Sequence, residues 1–202
     1  MNEACITEAR EAARCIRDGG VIVYPTETVY GIGCDPWNLA AVERVLAMKR
    51  RPRTAMLLLA DSRRMVEDRF GMLDPLSSLL ADTFWPGPLT LVIKSSVECP
   101  DYLIGPTGGV AVRVTAHPLC TEIIREFGGP IVSTSANLSG EPPVAAFKDA
   151  CILFGDETDM ILESAEPVTG TPSTIVDATS GTVRCLREGA LPLARIFEVA
   201  QR

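Results

Sequence analysis

Apolar residues along the chain follow two periods, one helical and one strand-like, and their alternation predicts an α/β fold. Ile6, Ala9, Ala13 and Ile16 share one side at helical spacing, so a helix is expected over 3–17, stopped by Gly19-Gly20. Val21-Ile22-Val23-Tyr24 is a short β-rich run that ends at Pro25. From Asn38, a candidate N-cap, Leu39, Val42, Val45 and Leu46 mark an amphipathic helix ending near Arg51, because Pro52 disfavours helical geometry in the residue before it. Met56 to Leu59 predicts a buried strand. Asp74-Pro75 predicts a capped helix start above Leu76, Leu79, Leu80 and Phe84, and Pro86-Gly87-Pro88 closes it. Further strands are expected at 89–94, 110–114, 131–133, 160–162, 174–176 and 183–186, and helices at 118–127 and 145–154. Helices and strands interleave early and strands dominate late, the order expected of a mixed parallel and antiparallel sheet with helices packed around it.

Composition narrows the functional classes. With 47% hydrophobic and 22% charged residues the chain folds on its own, and its 202 residues fit a single domain over 1–202. Apolar runs such as 55–60 are too short to span a bilayer, and Glu3, Glu8 and Glu11 stand where a signal peptide would be basic and then apolar. No membrane association is expected, and the location expected is cytoplasmic. Seven cysteines, odd in number and never spaced C-x-x-C, predict reduced thiols. One histidine, His117, excludes a His-rich metal site, so no metal held by protein ligands is expected. The net charge of −7 argues against a surface built wholly for nucleic acid, while leaving room for a local basic cavity.

Several stretches carry candidate chemistry. Gly31-Ile32-Gly33 lacks the third glycine of a dinucleotide fingerprint, since Pro36 stands there, and no G-x-x-x-x-G-K-[ST] occurs. Lys49-Arg50-Arg51-Pro52-Arg53 sets four cations at a helix C-terminus; they either complement the helix dipole or clamp polyphosphate. Ser133-Thr134-Ser135-Ala136-Asn137-Leu138-Ser139-Gly140 is either a polar turn or a cradle for phosphate and ribose oxygens. Arg113, inside Val110-Ala111-Val112-Arg113-Val114, either lies exposed at a sheet edge or points into a cavity, where it would suit a carboxylate. His117, next to a helix-starting proline, reads as structural rather than catalytic. Arg187-Glu188-Gly189 reads as a strand end with a charge pair.

Taken in order, these stretches resemble the YrdC/TsaC family of threonylcarbamoyl-AMP synthases. The resemblance runs from Gly19 to about Gly189, through Gly19-Gly20-Val21-Ile22-Val23-Tyr24-Pro25-Thr26-Glu27-Thr28-Val29-Tyr30-Gly31, Lys49-x-Arg51-Pro52, Pro86-Gly87-Pro88-Leu89-Thr90, Val112-Arg113-Val114 with His117-Pro118, and the serine-rich segment from Ser133. It implies a twisted mixed sheet curved around a concave basic cavity, and synthesis of threonylcarbamoyl-AMP and pyrophosphate from L-threonine, bicarbonate and ATP. Lys49, Arg51, Ser135 and Asn137 are the implied catalytic set. Ser133 and Arg187 join them around ATP, and Thr28, Arg113 and Ser173 surround L-threonine. Magnesium would arrive on the nucleotide phosphates rather than in a protein cage. The product would pass to a tRNA threonylcarbamoyl transferase complex, with direct RNA contact left open. The chain stops near Arg202, so the additional C-terminal domain of longer members is not expected.

Two positions depart from the family pattern. Ala55 stands where a second lysine is usual, with Arg53 the nearest cation to replace it, and Thr115 stands where a proline usually follows V-R-V. A non-catalytic YrdC-like paralogue and an RNA-binding protein are the alternatives, because a shared fold does not guarantee a shared activity.

Overall fold

The computed structural model describes residues 3–50, 56–95, 97–163 and 165–201, with side chains from Ile6 onward. Helix α1 (Glu3–Arg17) leads into β1 (Ile22–Tyr24) and β2 (Gly31–Gly33). Then come α2 (Leu39–Met48), β3 (Leu57–Ala60), α3 (Arg63–Phe70), α4 (Pro75–Phe84), β4 (Leu89–Ile93) and β5 (Val110–Val114). Helix α5 (Pro118–Phe127) precedes β6 (Ile131–Val132) and β7 (Thr134–Ser135), and the chain continues through α6 (Phe147–Phe154), β8 (Met160–Ile161), β9 (Thr174–Asp177), β10 (Arg184–Arg187) and α7 (Leu193–Ala200).

The strands divide between two mixed sheets, ordered β10-β9-β4-β5-β3-β6 and β7-β2-β1-β8. The first pairs β3 with β5 and β4 with β9 in parallel and is otherwise antiparallel; in the second only β1 and β8 run parallel. The expected α/β class with a mixed sheet is therefore what the chain adopts. One segment belongs to both sheets: β6 pairs with β3, Ser133 N–H donates to Leu57 O at 2.8 Å, and β7 pairs with β2 immediately afterwards. Ser133 is the single residue at that seam.

Helices α1 and α5 pack together, with Ala9, Ala12 and Ile16 set against Leu119, Cys120, Ile123 and Ile124 over the outer side of Ile22 and Leu59. A larger core buries α2 through Val42 and Val45, α3 through Val66 and Phe70, α4 through Leu80, and α7 through Ile196 and Val199. The caps read from sequence are present: Asn38 Oδ1 accepts the Ala41 N–H at 3.2 Å, and Asp74 Oδ1 accepts those of Leu76 and Ser77. Helix α2 stops at Met48, earlier than Pro52 implies, because Arg50 adopts a left-handed φ of 49° and its N–H turns back to Ala47 O.

Gly-x-Gly in β2 has a packing cause. Tyr24 lies across the antiparallel pair from Gly31 and is fully buried, its hydroxyl donating to Val132 O at 3.2 Å. A Cβ on Gly33 would lie 2.6 Å from Tyr24 Cε1 and 2.7 Å from Val132 O, so the ring occupies the space a side chain would need. Gly33→Ala is expected to destabilise the fold by about 2–3 kcal/mol, since backbone as well as ring must shift. A urea midpoint unchanged from the parent would show that the two strands are not packed this closely.

Candidate active site

A cavity of about 100 Å³ opens where the two sheets meet. Its wall takes Thr26 and Thr28 to Gly31 from the β1–β2 connection and the start of β2, Arg113 from β5, Ser133 to Ser135 from the seam, Ser173 from just before β9 and Arg187 from β10. The structure thus brings together six residues named from the sequence: Thr28, Arg113, Ser133, Ser135, Ser173 and Arg187. Lys49 and Asn137 stand beside it. Arg51 lies outside the described residues, as do Arg53 and Ala55, so the expected cation cluster is described only through Arg50.

Arg113 settles one of the open alternatives. It is 3% exposed, in a strand whose neighbours Val112 and Val114 are buried, and it faces the cavity rather than a sheet edge. Its Nη1 donates to Thr28 Oγ1 at 3.0 Å and lies 3.7 Å from Glu27 Oε1, while its Nε is buried with no hydrogen-bond partner among the described residues. Thr28 Oγ1 also lies 2.9 Å from Thr26 Oγ1, and Thr26 Oγ1 lies 2.7 Å from Val29 O. With the Thr26 proton on that carbonyl, Thr28 is the donor to Thr26, and its remaining capacity is as an acceptor.

On the opposite wall Arg187 donates to Ser173, from Nε and Nη2 to the carbonyl oxygen at 3.1 and 2.8 Å and from Nη2 to Oγ at 3.2 Å. These bonds tie it to the cavity wall, and Glu188 Oε1 accepts the Leu193 N–H. Gly189 makes this contact feasible: a Cβ there would stand 2.1 Å from Pro172 O. Thr90 Oγ1 lies 2.9 Å from Ser173 Oγ and completes the network.

The serine-rich stretch is held by Lys49. This side chain is 2% exposed, and its ammonium reaches Asn137 O at 3.0 Å, Asn137 Oδ1 at 2.9 Å and the Ser135 carbonyl. Ser135 Oγ donates to Asn137 Oδ1 at 2.6 Å, Asn137 Nδ2 donates to Glu141 O, and the Ser139 N–H donates to Lys49 O. An ammonium has three N–H bonds, and three oxygens of this loop surround it. Lys49 shapes the loop as well as lending it charge. Thr26, Glu27 and Thr115 were not singled out as site residues, although Thr26 and Glu27 fall within the quoted Pro25–Gly31 stretch, which was the available signal.

Among the described residues no group of three His, Cys, Asp or Glu side chains is placed to hold a metal ion, and no helix is long and apolar enough to cross a membrane. Cys15, Cys34, Cys99, Cys120, Cys151 and Cys185 are free thiols, and burial pushes those of Cys34 and Cys120 up to about 12. His117 acts as the N-cap of α5: its Nδ1 accepts the Cys120 N–H at 3.5 Å, so the neutral ring carries its proton on Nε2, which is buried without a hydrogen-bond partner among the described residues. Burial lowers its pKa below the ordinary 6.5, against the weaker opposite pull of Glu27 and Glu166.

Comparisons with known proteins bear on this geometry. The Sua5/YciO/YrdC family model, described as "Telomere recombination", matches residues 14–189. The threonylcarbamoyl-AMP synthase of Coxiella burnetii (strain RSA 493 / Nine Mile phase I) is 41% identical over 174 residues, which cover 86% of this chain and 94% of that one. P. abyssi Sua5 complexed with L-threonine superposes with a TM-score of 0.89 at 34% identity, over 96% of this chain and 57% of that one. E. coli YciO superposes with a TM-score of 0.85 at 25% identity, over 93% and 92%. The chain therefore spans a little more than half of the Sua5 chain and nearly all of the bacterial relatives.

The His117 geometry yields a pH prediction. Between the lowered folded pKa and 6.5 the unfolded chain binds more protons, so the contribution of His117 is complete above about pH 6.5 and declines as pH falls toward the folded value. Urea unfolding from pH 8 to 5 should show this decline, and His117→Asn, which keeps a capping acceptor but cannot titrate, should flatten it. Parallel curves for the two proteins would mean that His117 carries no such linkage.

Proposed function

The chain belongs to the Sua5/YciO/YrdC family, and we infer that it is a threonylcarbamoyl-AMP synthase working in the cavity between its two sheets. The observation that carries this reading is Arg113, a buried guanidinium facing the cavity with a hydrogen bond to Thr28 and, among the described residues, no partner for its Nε. A buried arginine so poorly paired is prepared for an anion, and a carboxylate fits its fork. The carboxylate of L-threonine would dock there, with the Thr28 hydroxyl accepting from the amino acid and Ser173 closing the far side.

The nucleotide would lie toward Ser133, Ser135 and Asn137, with Arg187, Lys49 and Arg51 supplying charge. Threonine's amine forms a C–N bond to carbon dioxide and gives up a proton, or to the carbon of bicarbonate with loss of water, and either route yields the carbamate. A carbamate oxygen then attacks the α-phosphorus of ATP, and the bond to pyrophosphate breaks. Such a reaction depends on alignment and on neutralising phosphate charge more than on a strong protein base, in keeping with a wall of hydroxyls and guanidinium groups. Magnesium fits as a companion of the triphosphate, because the described cavity wall presents oxygens without a carboxylate cage. We place the enzyme in the cytoplasm, handing its product to a tRNA threonylcarbamoyl transferase complex.

Pyrophosphate release is expected only when L-threonine, bicarbonate, ATP and magnesium are all supplied. Release at the full rate without L-threonine or bicarbonate would contradict the carbamate route. Absence of release with all four present would favour a non-catalytic paralogue.

A further inference from the structure

Arg113 in β5 and Thr115, the residue after its end, both approach one carboxylate. Arg113 and Thr115 are two apart on extended backbone, so their side chains point the same way. Between them lies Glu27, whose Oε2 accepts the Thr115 hydroxyl at 2.8 Å and whose Oε1 stands 3.7 Å from Arg113 Nη1. Oε1 is buried without a hydrogen bond among the described residues. Thr115 is itself held: it is 2% exposed, its N–H donates to Ala60 O, and its Oγ1 accepts the His117 N–H at 3.2 Å. Its hydroxyl donates to Glu27, whose carboxylate can only accept. A proline at 115, the residue expected from the family pattern, has neither the hydroxyl nor the N–H used here.

The spacing between Glu27 and Arg113 is the unusual feature. At 3.7 Å the two charges attract but do not hydrogen-bond, although a guanidinium and a carboxylate sheltered from water favour paired bonds at about 2.7–2.9 Å. Closing that gap needs a shift of only about 1 Å. Glu27 would then occupy donors that the substrate carboxylate needs. We propose that Thr115 is a positioning residue: its hydroxyl holds Glu27 back, so that Glu27 offsets the buried charge of Arg113 without capping it, and the guanidinium stays open to L-threonine. The proposal rests on the reading of Arg113 as the carboxylate anchor.

Calorimetric binding of L-threonine, and separately of ATP, to the full chain tests it. Thr115→Val is expected to weaken L-threonine about tenfold, as one charge-assisted contact is lost to a competitor, with ATP binding unchanged. Thr115→Ser should stay within about twofold of the parent, because the hydroxyl is retained. Adding Glu27→Gln to Thr115→Val should recover most of the loss, because an amide competes poorly for the guanidinium. Should Thr115→Val fail to fold, Thr115→Ala removes the same hydroxyl and carries the same expectation. Parent-like affinity in the hydroxyl-lacking variant, or a loss that Glu27→Gln does not relieve, would overturn the proposal. Arg113→Gln separates the two levels: if it binds L-threonine as the parent does, the carboxylate reading fails, whereas weakened binding there with no effect at Thr115 defeats only the positioning role.

Discussion

Burying the Arg113 guanidinium in the middle of an apolar strand costs on the order of several kcal/mol unless charge and hydrogen bonds compensate, and much of the cavity wall is arranged around that cost. Glu27 supplies the opposite charge, Thr28 an acceptor, and Thr26 orients the Thr28 hydroxyl. The compensation is incomplete. Buried polar atoms are usually satisfied, yet among the described residues three buried side-chain atoms without hydrogen-bond partners, on Glu27, Arg113 and His117, belong to residues linked through Thr115 or its immediate neighbours. Incomplete pairing at one place in an otherwise well-bonded fold is what a site prepared for a ligand requires.

The second requirement is that the two walls stay in register. The segment from Ile131 to Ser135 meets it by pairing first with one sheet and then with the other, so that Ser133 and Ser135 are fixed relative to both. Lys49 then fastens the loop that follows, and Arg187 fastens Ser173 from the far side. None of these bonds needs a substrate. The oxygens and cations facing the cavity are thus placed in advance, and little ordering remains to be done on binding.

Features with a local cause were legible in the sequence. The caps at Asn38 and Asp74, the strand 110–114 and the helix 118–127 follow from side-chain spacing and from the residues at their ends. Elements with a tertiary cause were not. Helix α3 buries Val66 and Phe70 beneath a largely polar surface, so its apolar stripe is thin. Strands β2 and β7 have two or three residues and exist because Tyr24 and the seam organise them; glycines alone argue against a strand. Helix α7 did leave a trace, since Leu193, Ile196, Phe197 and Ala200 are spaced helically. At the site, residue types pointed to Arg113, Ser133 and Ser135, and the family resemblance to Ser173, but the role of Glu27 and Thr115 depends on a contact across 88 positions that no local pattern encodes.

In the proposed function, Arg113 receives the carboxylate of L-threonine while Thr28 and Ser173 enclose the rest of the amino acid. A crystal structure of this chain grown with L-threonine tests it most directly. The carboxylate is expected to be bound by the Arg113 guanidinium, with Glu27 still held by Thr115. An amino acid bound elsewhere, or an Arg113 paired two-to-two with Glu27 while L-threonine is present, would contradict it.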